Sequence, residues 1–206
     1  MQVKLLTPEV FAIATGAPEW TNALYYHDTI IIPVRSADQG NQEDFIRSVR
    51  HEFSHAIINA FSNGNCPGWL DEGLAQYMEG NTLDVIRLTL TRWISKNPTI
   101  PFHMLQSGFT KLDKKYVAPA YAQSLWAAKL LIERRGYLPI RYFMTLLKNK
   151  ENDAFHTAFG ITESEFETQL ACVLSKPACI DTPQQCSKTC NTSTQSASTE
   201  NARLPF

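Results

Sequence analysis

The segment His51-Glu52-Phe53-Ser54-His55 sets two imidazoles four residues apart with a carboxylate between them. On an α-helix each residue turns by about 100° and rises about 1.5 Å, so residues four apart share a face, one turn from each other. Two histidines so placed can grip a single metal ion, zinc above all. Glu52 lies on the same side, close enough to act on a metal-bound water without being a ligand. The pattern therefore demands a helix through these residues and a partner opposite it, because a catalytic zinc takes three protein ligands and keeps its fourth position open.

One known way to supply the third ligand is the longer pattern H-E-x-x-H-x-x-G-x-x-H. Here its glycine position is Ile58 and its histidine position is Phe61, so that route is closed. The other route is a glutamate from a following helix. The turn-rich run from Ser62 to Gly68 ends the first helix and reverses the chain. Glu72 follows in Trp69-Leu70-Asp71-Glu72-Gly73-Leu74-Ala75, seventeen residues after His55 and early in the second helix. It faces back toward the histidines as a third ligand, or else complements the positive N-terminal end of its own helix.

These two segments together resemble the gluzincin metallopeptidases, in particular the compact peptidase MA-like domains. The second segment is also similar to the corresponding stretch of the zinc aminopeptidases, and Tyr121-Ala122-Gln123-Ser124 is similar to a segment of the compact domains. The resemblance runs from about residue 40 to about residue 172. It implies a zincin-like α+β fold, one catalytic zinc on His51, His55 and Glu72, and hydrolysis of peptide bonds. Two departures bear on specificity. The step from His55 to Glu72 is shorter than in the aminopeptidases, and no G-x-M-E-N segment precedes the histidines; Gly16-Ala17-Pro18-Glu19-Trp20 does not match it. Endopeptidase action is therefore preferred to aminopeptidase action.

The expected mechanism follows. Zinc polarises a water, Glu52 takes its proton and passes it to the leaving amine. The related families place an oxyanion-stabilising tyrosine on a downstream helix, which implies Tyr121 here, with Tyr116 and His103 in reserve. A tyrosine in an apolar helix is also an ordinary core residue with a bonded hydroxyl. Asp71 and Asn59 are the nearest candidates to orient the ligand rings, while Trp69 and Leu70 read as packing between the first and second helices. A zinc-binding scaffold without catalysis is the alternative reading. Retention of Glu52 argues against it, since metal binding alone has no need of that carboxylate.

With 206 residues, 44% of them hydrophobic, the chain can bury one substantial core. A formal charge of −1 gives no electrostatic case for nucleic acid, and no apolar run approaches a membrane span. The partner implied is a peptide or protein substrate; nothing in the sequence indicates an oligomeric state. Residues 1–175 read as the zincin-like domain and 176–206 as a polar tail too poor in apolar residues to order itself. Cys66, Cys172, Cys179, Cys186 and Cys190 lack the paired spacing of a structural zinc site. Disulfides among the tail cysteines and Cys172, or free thiols, both remain open. Met1–Pro8 carries no apolar signal region, so either the protein stays in the cytoplasm or a leader or domain precedes this sequence. Tail disulfides favour the periplasm or secretion.

The order of elements reads as strands first, then helices. Residues 2–6 and 9–14 are short apolar stretches, and 23–26 with 29–34 form a hairpin turning at His27-Asp28. The strand at 29–34 is the expected edge for an extended substrate, unless Pro33 only marks its terminus. Asn41 is the expected N-cap of the active-site helix, with Ile46, Val49, Phe53 and Ile57 as its core-facing stripe. Helices are expected at 82–95, 118–135, 139–149 and 151–174, with a loop from Asn97 through Gly108.

Overall fold

The computed structural model describes residues 2–17, 21, 23–26, 29–34, 42–81 and 83–176. The expected turn at His27-Asp28, the cap at Asn41 and the tail from residue 177 lie outside the described residues. The architecture is α+β: a small mixed sheet at the N-terminus, then helices. Strands β1 (Gln2–Leu6), β2 (Leu24–Tyr26) and β3 (Thr29–Pro33) form a three-stranded sheet in the order β1-β3-β2. β1 pairs with β3 in parallel, and β2 pairs with β3 antiparallel, Tyr25 opposite Ile30.

Two expectations are corrected here. The stretch 9–14 is not extended but lies within helix α1 (Pro8–Thr15). The Thr7 hydroxyl caps it by accepting from the Val10 N–H, Pro8 occupies the first turn, and Gly16 closes it at φ 64°. A short apolar run suits either element, and the caps at both ends decide for helix. The strand at 29–34 is not an edge. It lies between the other two, as its unbroken isoleucine run suits, and Ile30 and Ile32 are buried. Pro33 marks its terminus, opposite Leu6. The edge that reaches the histidine helix is β2, which packs on it.

Helix α2 (Gln42–Ser62) carries the histidines, and its inward face is not the expected one. Ile46, Phe53 and Ile57 are 38%, 44% and 40% exposed, and of that stripe Val49 packs against the sheet. The buried positions are instead Glu52, Ser54, Ile58 and Ser62. The two serines are accommodated because each hydroxyl donates to the carbonyl one turn back, Ser54 to Arg50 and Ser62 to Ile58, both at 2.7 Å. Asn63 and Gly64, at φ 54° and 74°, then end the helix.

Helix α3 (Gly68–Met78) lies between α2 and the long helix α5 (Lys114–Arg135). The approach of α3 to α5 is set by Gly73: a Cβ there would strike the Ser124 carbonyl oxygen and meet the Ala128 side chain at 2.8 Å. α5 begins before its expected start at 118 because Asp113 caps it, accepting from the Lys115 N–H at 3.2 Å. Pro119 inside it removes only one backbone donor, in the second turn. Helix α4 (Leu83–Ile94) packs on α5, and a 3₁₀ turn at Phe102–Leu105 interrupts the expected loop.

The last helices described are α6 (Tyr137–Lys148), α7 (Ala154–Phe159) and α8 (Glu163–Leu174). The single helix expected over 151–174 is broken at Gly160, φ 70°, and restarts on a capping box between Thr162 and Glu165. Trp69 and Leu70 are fully buried, as core, but Trp69 looks away from α2. Its ring stacks on Phe102 at 4.3 Å and its indole N–H donates to Glu163 at 2.8 Å. Among the described residues no helix is long and apolar enough to cross a membrane.

Gly73→Ala forces α3 away from α5, and we expect a loss of about 1–3 kcal/mol, read as a lower urea midpoint at unchanged m. Wild-type stability in that variant would contradict the close approach.

Candidate metal centre

His51 and His55 stand one turn apart on α2 with ring centroids 4.7 Å apart. Their Nε2 atoms both turn toward α3, where Glu72 Oε2 lies 3.5 Å from that of His51 and 3.8 Å from that of His55. Each ring is held from behind by a second carboxylate. His51 Nδ1 is 2.8 Å from Glu79 Oε2, and His55 Nδ1 is 2.8 Å from Asp71 Oδ1. An ionised carboxylate can only accept, so each Nδ1 carries the proton. That leaves the Nε2 lone pairs facing Glu72 when the rings are neutral.

Whether these residues suit a metal ion is decided by the donors themselves. Ligands at about 2.1 Å from a tetrahedral ion lie about 3.4 Å from one another. The separations from Glu72 to the two imidazoles are close to that, and Glu72 Oε2 is buried without a hydrogen-bond partner among the described residues. A buried carboxylate oxygen left in that state is costly unless a cation meets it. Glu52 also comes near: its carboxylate and the two histidines offer atoms within 4.8 Å of one another. Its partner distinguishes it from Glu72, because the backbone of Tyr25 on β2 hydrogen-bonds Glu52. The donor set thus fits a divalent ion on the two imidazoles with a carboxylate, Glu72 at the separations above or Glu52 in the group within 4.8 Å.

Protonation follows from the same contacts. Burial pushes His51 down, but the carboxylates of Glu72 and Glu79, which favour its protonated ring, outweigh it and raise it to about 10. Burial also opposes the charged form of His55, yet Asp71 holds its proton on, so it too is raised. Glu52 is raised, chiefly by burial and against the pull of both histidines. Tyr121 is raised strongly, first by burial and then by the charges of Glu72, Glu52 and Glu79. Without a metal, protons on the imidazoles balance the carboxylates.

Two cavities flank the centre and share His51, Glu52, Thr21, Ala23 and Tyr121 on their walls. Tyr121 sits on α5 with its ring edge-on to Phe109 at 4.9 Å, and its backbone carbonyl accepts from the Gln76 amide at 2.9 Å. The reserves fall elsewhere: Tyr116 packs against Trp93, and His103 is exposed on the 3₁₀ turn. Neither lines either cavity. Of the two residues expected to orient ligands, Asp71 contacts His55 and Asn59 contacts neither histidine, standing instead on a cavity wall next to Gly64. Three contributors went unread. Glu79 is bound to His51, and Arg47 and Asn81 hold its other oxygen, the guanidinium at 3.5 Å. The available signal was spacing: Glu79 follows Glu72 by seven residues, two helical turns along the same face.

The profile of the Peptidase MA superfamily matches residues 12–175 of the chain, which therefore belongs to that superfamily. Its members are peptidase-like domains that are typically metal-dependent, in keeping with the donor set. No curated protein sequence matches the chain.

Glu79→Gln keeps the shape but weakens the acceptor behind His51, and we expect metal affinity to fall about 10–100-fold, by competition with a chromophoric chelator. Because His51 holds a proton up to about pH 10 when no metal is present, protons compete with the ion. Affinity should therefore rise with pH from 6 to 9, with protons released on binding, measured by calorimetry in buffers of differing ionisation enthalpy. A pH-independent affinity would contradict this.

Proposed function

We propose that the protein is a zinc-dependent endopeptidase of the gluzincin type. The observation that carries this reading is the placing of Glu52: buried, anchored to the backbone of β2, and grouped with both histidines within 4.8 Å, while Glu72 faces the same two rings. His51, His55 and Glu72 would hold the zinc, which when bound would supply a Lewis acid to lower the pKa of water and polarise the scissile carbonyl. Glu52, with its proton affinity raised by burial, takes the proton from the attacking water and returns it to the leaving amine. Tyr121 keeps its hydroxyl protonated and donates it to the developing oxyanion. Arg47, Asn81 and Glu79 hold the His51 ring while Asp71 holds that of His55.

The cleft walls at Leu24 and Tyr25 are those of the edge strand β2, along which an extended peptide can lie. The cavities open on both sides of the centre, and this favours internal peptide bonds over chain ends. We assign the activity to residues 1–175 and treat 176–206 as an appendage, since the superfamily match ends at 175. A periplasmic or secreted location is supported by Cys172, which is disulfide-bonded, while Cys66 is free.

Glu52→Gln should lower kcat/KM about 10²–10⁴-fold on a cleavable peptide while leaving zinc content at the wild-type level. Tyr121→Phe should lower kcat about 10²-fold with little change in KM. Undiminished turnover in Glu52→Gln would sink the mechanism. Zinc bound at full occupancy with no hydrolysis of any peptide in a diverse mixture would favour a scaffold.

A further inference from the structure

On the side turned away from the metal centre, helix α2 carries an exposed apolar stripe. At about 100° per residue, Phe53, Ile46 and Ile57 fall within about 40° of one another, across the helix from His51 and His55. All three are exposed, as is Phe61 one turn beyond Ile57. Arg50 stands in the middle of the stripe, with Glu43 at its start and Ala60 at its end, each exposed. We propose that this stripe pairs with the same stripe of a second copy of the chain, the two α2 helices running antiparallel about a two-fold axis. No residue of the stripe lines either cavity, so the pairing engages neither the metal donors nor the cleft.

A helix of this amphipathic kind buries its apolar side against something. Here α2 packs on β2, β3, α3 and α6, and the side it turns to them is the one that bears the histidines, Glu52 and the two buried serines. Two phenylalanines and two isoleucines are left facing outward in one row. The seam exposes on the order of 500 Å² per copy, so a pair covers about 1,000 Å², the lower bound for a specific interface. That area suits a dimer that assembles at micromolar rather than nanomolar concentration.

The order of residues selects a second copy and its direction. Glu43, Ile46, Arg50, Phe53, Ile57 and Ala60 follow one another in steps of three and four, the spacing of a seam between two helices. The seam is symmetric about the point midway between Arg50 and Phe53. A two-fold partner running the other way therefore sets Ile46 against Ile57, Arg50 against the Phe53 ring, and Glu43 against the end with Ala60 and Phe61. At that end Arg141 of α6 stands over the Phe61 ring at 5.3 Å, so the acid of one copy meets a base of the other. A guanidinium over a phenylalanine face is attractive in itself. A parallel pair would instead set Arg50 on Arg50 and Glu43 on Glu43, like charge on like.

Sedimentation velocity of the full chain from about 5 to 200 μM should show a reversible monomer–dimer equilibrium. Ile46→Glu and Ile57→Lys, both at exposed positions, should each raise the dimer Kd at least about tenfold. Combined in one chain they set glutamate opposite lysine twice per pair and should restore most of the lost affinity. A parallel pair could not recover in this way, since it would set glutamate on glutamate. Urea midpoints read on dilute protein separate lost pairing from lost fold. Ala60 gives a milder reading of the same register: Ala60→Arg, facing Glu43 of the second copy, should tighten the dimer about two- to fivefold, and Ala60→Glu should loosen it by as much. A monomer throughout the concentration range overturns the proposal. So does a dimer indifferent to both isoleucine variants, a double variant no tighter than the single ones, or equal affinity in the two Ala60 variants.

Discussion

The centre depends on how closely α3 can lie against α2 on one side and α5 on the other. Two imidazoles turned inward from α2 need acceptors for their Nδ1 protons, and α3 with the residue that ends it brings Asp71, Glu72 and Glu79 to face them. That position is open to α3 because Gly73 has no side chain to hold it off Ser124 on α5. The same contact sets Tyr121, since Gln76 on α3 donates to its carbonyl and fixes that turn of α5 over the centre. One absent Cβ thus connects the packing of the helices to the spacing of the donors.

The charge balance explains why such a cluster is tolerated in a folded protein. Glu52, Asp71, Glu72 and Glu79 gather around two imidazoles, and Arg47 is the added cation, half out in solvent. Protons on both histidines reduce the excess negative charge when no ion is bound. A divalent cation does the same at the donors themselves, so the metal and the protons compete for one place. Glu72 Oε2 gains most among these carboxylates, being buried without a hydrogen-bond partner among the described residues.

Much of this was legible from residue order, and the parts that were not share a cause. That His51, Glu52, His55 and Glu72 would stand together was readable from their types and spacing, and the structure brings them together. The inward stripe of α2 was misread for the same reason in reverse: Ile46, Phe53 and Ile57 obey the usual rule for a core face, but function turned the polar face in. Glu79 was marked only by its spacing of two turns from Glu72, a weak sign because a carboxylate at the end of a helix is common without a ring behind it. β3 carried its central position only in its unbroken isoleucine run, which Pro33 and the expected neighbouring cleft outweighed in favour of an edge. The break at Gly160 was written in the sequence as a glycine followed by Thr162 and Glu165, a stop and a new cap.

The central claim is that two imidazoles and Glu72 hold one metal ion. X-ray absorption at the zinc edge on the zinc-loaded chain tests it most directly, together with metal content by elemental analysis. One zinc per chain, with only nitrogen and oxygen neighbours at about 2.0–2.2 Å, is the expected result. A sulfur neighbour at about 2.3 Å would move the ion to a cysteine, and a folded chain that retains no zinc would leave the histidines without the role assigned to them.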